Sequence, residues 1–136
     1  MTTKEYLSRI SRLDIMIQNK LSEYYQINTL VYSVSSPVAG DKVQTSAGTD
    51  KMSSAVVKMV DIEKSLENLT AQRNKIVSEI QEIDNLDFCD VLTKRYVLGM
   101  TNKEIAYEKN KGLRTVERYI DEAHREFERK FGGDWR

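Results

Sequence analysis

The sequence of 136 residues is poor in the residue types that mark several common classes of protein. It has one cysteine (Cys89), one histidine (His124) and one proline (Pro37). A single cysteine excludes a disulfide framework, and one cysteine with one histidine excludes a zinc site built from these two residue types alone. With 40% hydrophobic and 31% charged residues, the chain is too apolar for a disordered protein, and helix is the expected secondary structure.

Long hydrophobic runs are also missing, since no stretch approaches the roughly 18 apolar residues that a membrane span requires. The first residues, MTTKEYLSRISRLD, lack the apolar segment of a secretory signal, so we expect a cytosolic protein. The formal net charge is zero, from 21 basic and 21 acidic side chains. This balance varies along the chain: residues 1–88 have 10 basic and 12 acidic side chains, whereas residues 89–136 have 11 and 9. The C-terminal part is therefore mildly basic.

Two long segments repeat apolar residues three and four positions apart, which is the spacing of a coiled-coil seam. The first seam is Tyr6, Ile10, Leu13, Ile17, Lys20, Tyr24, Ile27 and Val31. The second is Met59, Ile62, Leu66, Leu69, Arg73, Ile76, Ile80 and Ile83. We expect the two polar members, Lys20 and Arg73, to extend to solvent or to set the register. The pattern predicts a long antiparallel, coiled-coil-like helical hairpin over residues 1–88, and a homo-oligomer, because two helices alone bury little surface.

Between the two seams, residues 33–54 are predicted to form a polar loop, since they are rich in serine and threonine and contain Pro37, Gly40 and Gly48. Two interpretations of its segment Gly40–Ser46 (GDKVQTS) remain open. The segment is either a solvated connection or a surface that caps the hairpin or contacts a partner. Residues 84–88 are predicted to join the hairpin to a second domain, residues 89–136.

The second domain has the pattern of three helices separated by short turns, with helices over NKEIAYEK and LRTVERYIDEAHREFERKF. Thr101 and Glu104 form a capping box at the start of the middle helix. Ala106 is small enough for a close helix crossing, and Asn110 tolerates the positive φ of a tight turn. With Val116 as the inward anchor of the last helix, the spacing predicts a helix-turn-helix. The terminal GGDWR is expected to fray unless Trp135 docks.

The outward positions near the start of the last helix are predicted to face DNA: Leu113, Arg114, Glu117 and Arg118. Arginine can reach guanine edges or phosphates, and Glu117 can accept a hydrogen bond from a cytosine amine. Three flanking cations, Lys103, Lys111 and Arg125, are expected near the DNA backbone. The alternative is a solvated helix face in which these charges pair with one another.

Two lysines, Lys109 and Lys111, occupy positions around the turn where such motifs usually bury an apolar residue. Either Tyr107 or Leu113 is expected to fill that space instead, or the turn is loosely packed. His124 has no evident nucleophile partner and is predicted to lie at the surface. No pattern of a catalytic, cofactor or metal site is present, so we expect a protein that is not an enzyme and has no cofactor.

The segment RYVLGMTNKEIAYEKNKGLRTVERYIDEA resembles the region-four helix-turn-helix of sigma-70 factors, in its small phage and prophage form. With the loop SPVAGDKVQTSAGTD and the helical N-terminal half, nearly the whole chain is similar to a phage-encoded family related to the ArpU/RinA-type regulators of late transcription. The resemblance implies a regulator of late or packaging genes in the cytoplasm of a bacterial host cell. It further implies that Arg114, Thr115, Glu117 and Arg118 contact promoter DNA, and that host RNA polymerase is a partner.

Two other classes of function stay open. Small terminase subunits also join a helix-turn-helix to an oligomerising hairpin, although they usually place the DNA-binding part at the N-terminus. A sigma mimic or anti-sigma module would keep the fold and bind polymerase subunits instead of double-stranded DNA.

Overall fold

The computed structural model describes the backbone of residues 1–35 and 45–135 and the side chains of residues 1–31 and 51–135. These residues form five α-helices and no strand, so the protein belongs to the all-α class, as predicted. The helices are α1 (Thr3–Ser35), α2 (Thr45–Gln81), α3 (Leu86–Leu92), α4 (Asn102–Lys109) and α5 (Leu113–Phe131). A π-helical turn, Thr93–Val97, follows α3, and a 3-10 turn, Gly132–Asp134, follows α5. None of the helices in the described ranges is apolar over a length sufficient to cross a membrane.

The polar loop predicted over residues 33–54 was assigned too widely, because α1 extends to Ser35 and α2 begins at Thr45. The helical seam explains the early start of α2. Met52 and Ala55 precede Met59 at the same three- and four-residue spacing, and Ala55 is buried. The segment Gly40–Gln44, to which the sequence assigns two alternative roles, lies outside the described residues, as do the side chains of Thr45 and Ser46.

The chain divides into two compact units. Unit 1 contains Met1–Asp14 and Ala71–Arg136, and unit 2 contains Ile15–Thr70. These units do not follow the predicted division at residue 88, which falls inside α3. Helix α3 begins earlier than predicted because the Asn85 side chain accepts hydrogen bonds from the amides of Asp87 (2.9 Å) and Phe88 (3.2 Å) and so caps its first turn.

Within unit 1, the start of α1 runs antiparallel to the end of α2. The Tyr6 hydroxyl donates to Glu79 Oε1 (2.5 Å), and Arg73 Nε donates to Asp14 Oδ1 (2.5 Å), so residue numbers fall along α2 as they rise along α1. Arg73 therefore forms an ion pair with the other helix instead of extending to solvent. The apolar members of the predicted seam in this part are all buried: Tyr6, Ile10, Leu13, Ile76, Ile80 and Ile83.

The end of α5 packs on Tyr6, and so do the residues that follow α5. The Tyr6 ring lies 5.9 Å from the ring of Phe127 and stacks on Trp135, with a centroid distance of 5.0 Å and an interplanar angle of 12°. Lys130 Nζ donates to the backbone oxygen of Glu82 (2.6 Å). The expectation of a frayed end is therefore wrong for the segment through Trp135, which docks by aromatic stacking.

Unit 2 consists of the remaining parts of α1 and α2. The Tyr24 hydroxyl of α1 donates to Glu63 Oε1 of α2 (3.1 Å). Most of the predicted seam in this unit is only half-buried, including Ile17, Ile27 and Leu66. Lys20 lies 3.6 Å from Glu23 in a half-exposed ion pair. In the described part of this unit the seam is made by two helices alone, which leaves its apolar side chains partly in contact with water.

Candidate nucleic-acid interface

Helix α4 begins at the capping box that the sequence predicts. The Thr101 hydroxyl oxygen accepts from the Glu104 amide (3.2 Å), and this hydroxyl donates in turn to the Glu104 carboxylate (3.1 Å). Glu104 thus reaches back to the side chain of the cap residue and fixes the first turn. Gly99, in the turn before this helix, has a positive φ of 70°, which favours glycine.

The turn between α4 and α5 has the conformation expected from its asparagine. Asn110 adopts φ 56° and ψ 47°, in the left-handed region. Its amide donates to the Tyr107 carbonyl (3.2 Å), and the amide of Lys111 donates to the Ala106 carbonyl (2.9 Å). This pair of hydrogen bonds is a Schellman motif, which closes α4 and directs the chain into α5 two residues later.

Helix α5 packs one face against α3 and α4. Its buried residues are Val116, Ile120, Ala123 and Phe127. From α4, Ile105 and the small Ala106 are buried on the facing side, as the sequence predicts. Burial of this one face leaves the opposite face of α5 in solvent, and the predicted DNA-binding residues of this helix lie there.

The two lysines at the turn have different environments. The Lys109 ammonium binds Asp90 Oδ2 of α3 and lies 4.0 Å from Asp87, and its side chain is only 15% exposed. Tyr107 and Leu113 do not fill the space near the turn, because their exposed fractions are 90% and 38%. The prediction that one of them replaces an apolar turn residue is therefore wrong: a partly buried ion pair between Lys109 and Asp90 occupies that position.

Asp90 is the centre of a small ionic network. Its second oxygen, Oδ1, accepts from Lys94 Nζ (2.6 Å), and Lys94 also lies 3.4 Å from Glu108 of α4. Burial alone would raise the pKa of Asp90, but hydrogen bonds from Lys109 and Lys94 outweigh it and lower the pKa. The hydrogen bond to Asp90 raises the pKa of Lys94. Both lysines form ion pairs with Asp90, so Lys109 does not belong to an exposed basic patch.

Most of the predicted DNA-binding residues lie at the surface. The exposed ones are Lys103, Lys111, Leu113, Arg114, Glu117, Arg118 and Arg125, whereas Thr115 is half-buried. Except for Leu113, the residues of α5 among them line one shallow surface depression together with two more acidic residues: Arg114, Thr115, Glu117, Arg118, Asp121, Glu122 and Arg125. Lys103 is not part of this surface, since it lines a separate depression on α4 with Met100 and Tyr107.

The α5 face, defined here by the residues of that first depression, carries three arginines and three carboxylates. Helical spacing places Arg114, Arg118 and Arg125 on one strip, because they are four and seven residues apart. Arg118 Nε lies 4.0 Å from Glu122 and its guanidinium lies 5.5 Å from the Tyr119 ring centroid. At that separation the ion pair is weak, and the Arg118 side chain remains 63% exposed.

The start of α5 differs from the starts of α3 and α4. Asn85 and Thr101 cap their helices with side-chain oxygens, whereas Gly112 has no side chain to cap α5. The first turn of α5 has no acidic residue. Its free amides and the positive end of its helix dipole therefore meet solvent next to Lys111 and Arg114, an arrangement that suits a phosphate.

Sequence reasoning missed the environment of His124. Its Nε2 lies 2.7 Å from the Tyr96 hydroxyl, with which it shares a hydrogen bond, and both side chains are half-buried. Burial lowers the pKa of His124 and raises that of Tyr96. The prediction of a surface histidine is wrong because the His124 ring is half-buried beside the Tyr96 ring, with 5.8 Å between the ring centroids. No local signal in the sequence links these two positions.

The residues with described side chains contain no group of three or more histidine, cysteine or acidic residues that could hold a metal ion. The chemistry that the α5 face offers is therefore hydrogen bonding and charge. In comparisons with protein-family models, curated proteins and solved structures, the chain matches none of them.

Proposed function

We propose that the protein is a sequence-specific DNA-binding transcription regulator whose α3–α5 form a region-four-like helix-turn-helix domain. The observation that carries the proposal is the arginine strip of α5, which is exposed directly after a turn closed by the left-handed Asn110. A rigid turn fixes the direction of the second helix, and its exposed first half is the part that enters a major groove in this motif.

In this proposal the residues of α5 have different roles. Arg114 and Arg118, one helical turn apart, donate paired hydrogen bonds to guanine edges, and Glu117 accepts from a cytosine amine. Leu113 and Thr115 present carbon atoms to thymine methyl groups. Lys103, Lys111 and Arg125 bind phosphates, and a further phosphate lies at the uncapped start of α5.

The helices α1 and α2 are proposed to form an antiparallel hairpin that supports self-association. The half-buried seam of unit 2 favours this role, because its apolar side chains are only partly removed from water. A dimer would present two α5 helices to neighbouring half-sites. The resemblance to phage late regulators leads us to propose late or packaging genes as targets and host RNA polymerase as a partner in the bacterial cytoplasm.

The test is fluorescence anisotropy of the full chain with labelled duplexes that tile the DNA around its own gene. The variant Arg114→Ala/Arg118→Ala is compared with wild type at several salt concentrations. The control, Arg9→Ala/Arg12→Ala, removes the same charge from the exposed side of α1. We expect one duplex to bind about 4 kcal/mol or more tighter than the others, and only the α5 variant to lose that preference. Equal, weak binding of every duplex by all three proteins would overturn the proposal.

The charge balance of the α5 face favours a second candidate, a protein-binding sigma mimic. Three carboxylates beside three arginines reduce attraction to phosphate but suit a protein surface of mixed charge. This candidate predicts that RNA polymerase core retains the wild-type chain without DNA and releases the Arg114→Ala/Arg118→Ala variant. The small-terminase alternative instead predicts a large ring, which sedimentation velocity distinguishes from a dimer.

A further inference from the structure

Unit 2 contains an apolar groove between α1 and α2, whose lining includes the seam residues Ile27 and Val31. Its volume is about 400 Å³. The groove is lined by Ile27, Leu30, Val31, Met52, Ala55, Ser54, Lys51 and Lys58. This volume is within the range of sites that bind a small ligand or a few side chains of a partner.

The apolar lining has the arrangement of a helix-binding groove. Leu30 is 56% exposed, although it lies between Ile27 and Val31, which are half-buried. On the facing helix, Met52 is half-buried and Ala55, three residues later, is buried. The small Ala55 on α2 and the large, exposed Leu30 on α1 leave a depression between the two helices. Apolar side chains of an amphipathic helix can enter this depression.

The charges at this groove have one sign. Lys51 and Lys58 are exposed and lie seven residues apart on α2, which places them about 10 Å apart along one flank of the helix. None of the lining residues that the structure describes is acidic. A ligand that covers the apolar lining must therefore accommodate two ammonium groups, which favours a ligand with carboxylates at a matching spacing.

We propose that this groove, defined by the eight lining residues above, binds an acidic amphipathic helix of another protein. The apolar residues of that helix, spaced three and four apart, occupy the depression beside Leu30. Its carboxylates, two helical turns apart, pair with Lys51 and Lys58. The assignment is independent of DNA binding, because neither lysine belongs to the α5 face.

The experiment uses the full chain and labelled helical peptides of 16 residues. The acidic peptide carries leucines at positions 5, 8, 9 and 12 and glutamates at positions 4 and 11. A second peptide has lysines at both glutamate positions, and a third keeps the composition in scrambled order. Binding is followed by fluorescence anisotropy at low salt and at 0.5 M salt.

We expect saturable binding of the acidic peptide that is at least about tenfold tighter than that of the lysine peptide, and weaker at high salt. Leu30→Ala and Lys51→Ala/Lys58→Ala each weaken binding about tenfold or more. The matched controls are Val57→Ala and Lys64→Ala, exposed changes on the same helix outside the groove, and they leave affinity unchanged.

Three results would overturn the proposal. The first is equal affinity for the acidic and lysine peptides, and the second is absence of saturable binding for the acidic peptide. The third is that the chain self-associates in sedimentation equilibrium, that Leu30→Ala abolishes this self-association, and that the acidic peptide does not compete with it. In that case the groove holds a second copy of the chain. All three leave the DNA-binding proposal intact, since its own test depends on Arg114 and Arg118.

Discussion

The ionic network around Asp90 allows a prediction about how the turn of the candidate interface is held. In the variant Asp90→Asn, the ammonium groups of Lys94 and Lys109 both lose their nearest carboxylate, and only the more distant Glu108 (3.4 Å) and Asp87 (4.0 Å) remain beside them. Fully buried ion pairs cost about 3–5 kcal/mol when one partner is removed, and exposed pairs contribute about 0–1 kcal/mol. The side chains here are 15% exposed for the lysines and 30% for Asp90, so we expect a loss of about 2 kcal/mol.

The variant Lys109→Met separates this explanation from a general loss of packing. It keeps the aliphatic part of the side chain and leaves Asp90 paired with Lys94 at 2.6 Å. We therefore expect a smaller loss, about 1 kcal/mol. The control is Lys103→Met on the exposed side of α4, with an expected change within about 0.5 kcal/mol.

Urea unfolding at pH 7, followed by circular dichroism, measures these differences as free energies of unfolding. The pKa of Asp90 is lowered by folding, so its contribution is present above the ordinary value of 3.8 and is lost as the pH falls through the folded value. The curves of wild type and Asp90→Asn should therefore converge in acid. A loss below about 0.5 kcal/mol for Asp90→Asn, or one no larger than that of Lys109→Met, would refute the network as the support of the turn.

Other variants test the turn, the half-buried histidine and the docked C-terminus. Burial lowers the pKa of His124 below its ordinary value of 6.5. The free energy of unfolding should therefore fall as the pH drops from 6.5 toward the pKa of the folded state. Urea unfolding at pH 5, 6 and 7.5 should show that this free energy depends less on pH in His124→Gln than in wild type. Asn110→Ala should lower the free energy of unfolding by about 1 kcal/mol, because residue 110 has a positive φ that alanine disfavours. Asn110→Gly should lower it by almost nothing, and equal losses for the two variants in urea unfolding would contradict this explanation. Trp135→Ala should lower the free energy of unfolding by about 2 kcal/mol in the same assay, because the ring that packs on Tyr6 is lost. Trp135→Phe keeps an aromatic ring and should lose much less. No loss in either variant would mean that the contact does not stabilise the protein.

The sequence predicts the local structure of the C-terminal part well, because its signals lie within a few residues of their effects. Thr101 and Asn110 mark the two ends of α4, and both have the predicted cap or turn conformation. The periodic seams likewise identify α1 and α2. The predicted limits of the loop are wrong because the helical seam continues through Met52 and Ala55 despite the many serine and threonine residues of this stretch.

Contacts between distant parts of the chain were not predictable from one sequence. The spacing of Tyr6 and Trp135 contains no sign that their rings stack, so the sequence does not indicate that residues 1–14 belong to the same compact unit as α5. The sequence allows Lys109 to face solvent, DNA or a carboxylate of another helix, and only the three-dimensional structure places it beside Asp90. The exposure of Arg114, Arg118 and Arg125 agrees with the predicted interface, while their contact with DNA stays a prediction.

The stacked tryptophan also provides an optical reporter, because Trp135 is the only tryptophan of the chain and belongs to unit 1. Its indole nitrogen is shielded from solvent, so its fluorescence emission should shift to longer wavelength when unit 1 opens. Ellipticity at 222 nm, in contrast, sums the helices of both units. Recording the two signals during one thermal scan therefore shows, without any added label, whether unit 2 melts before the unit that carries α5.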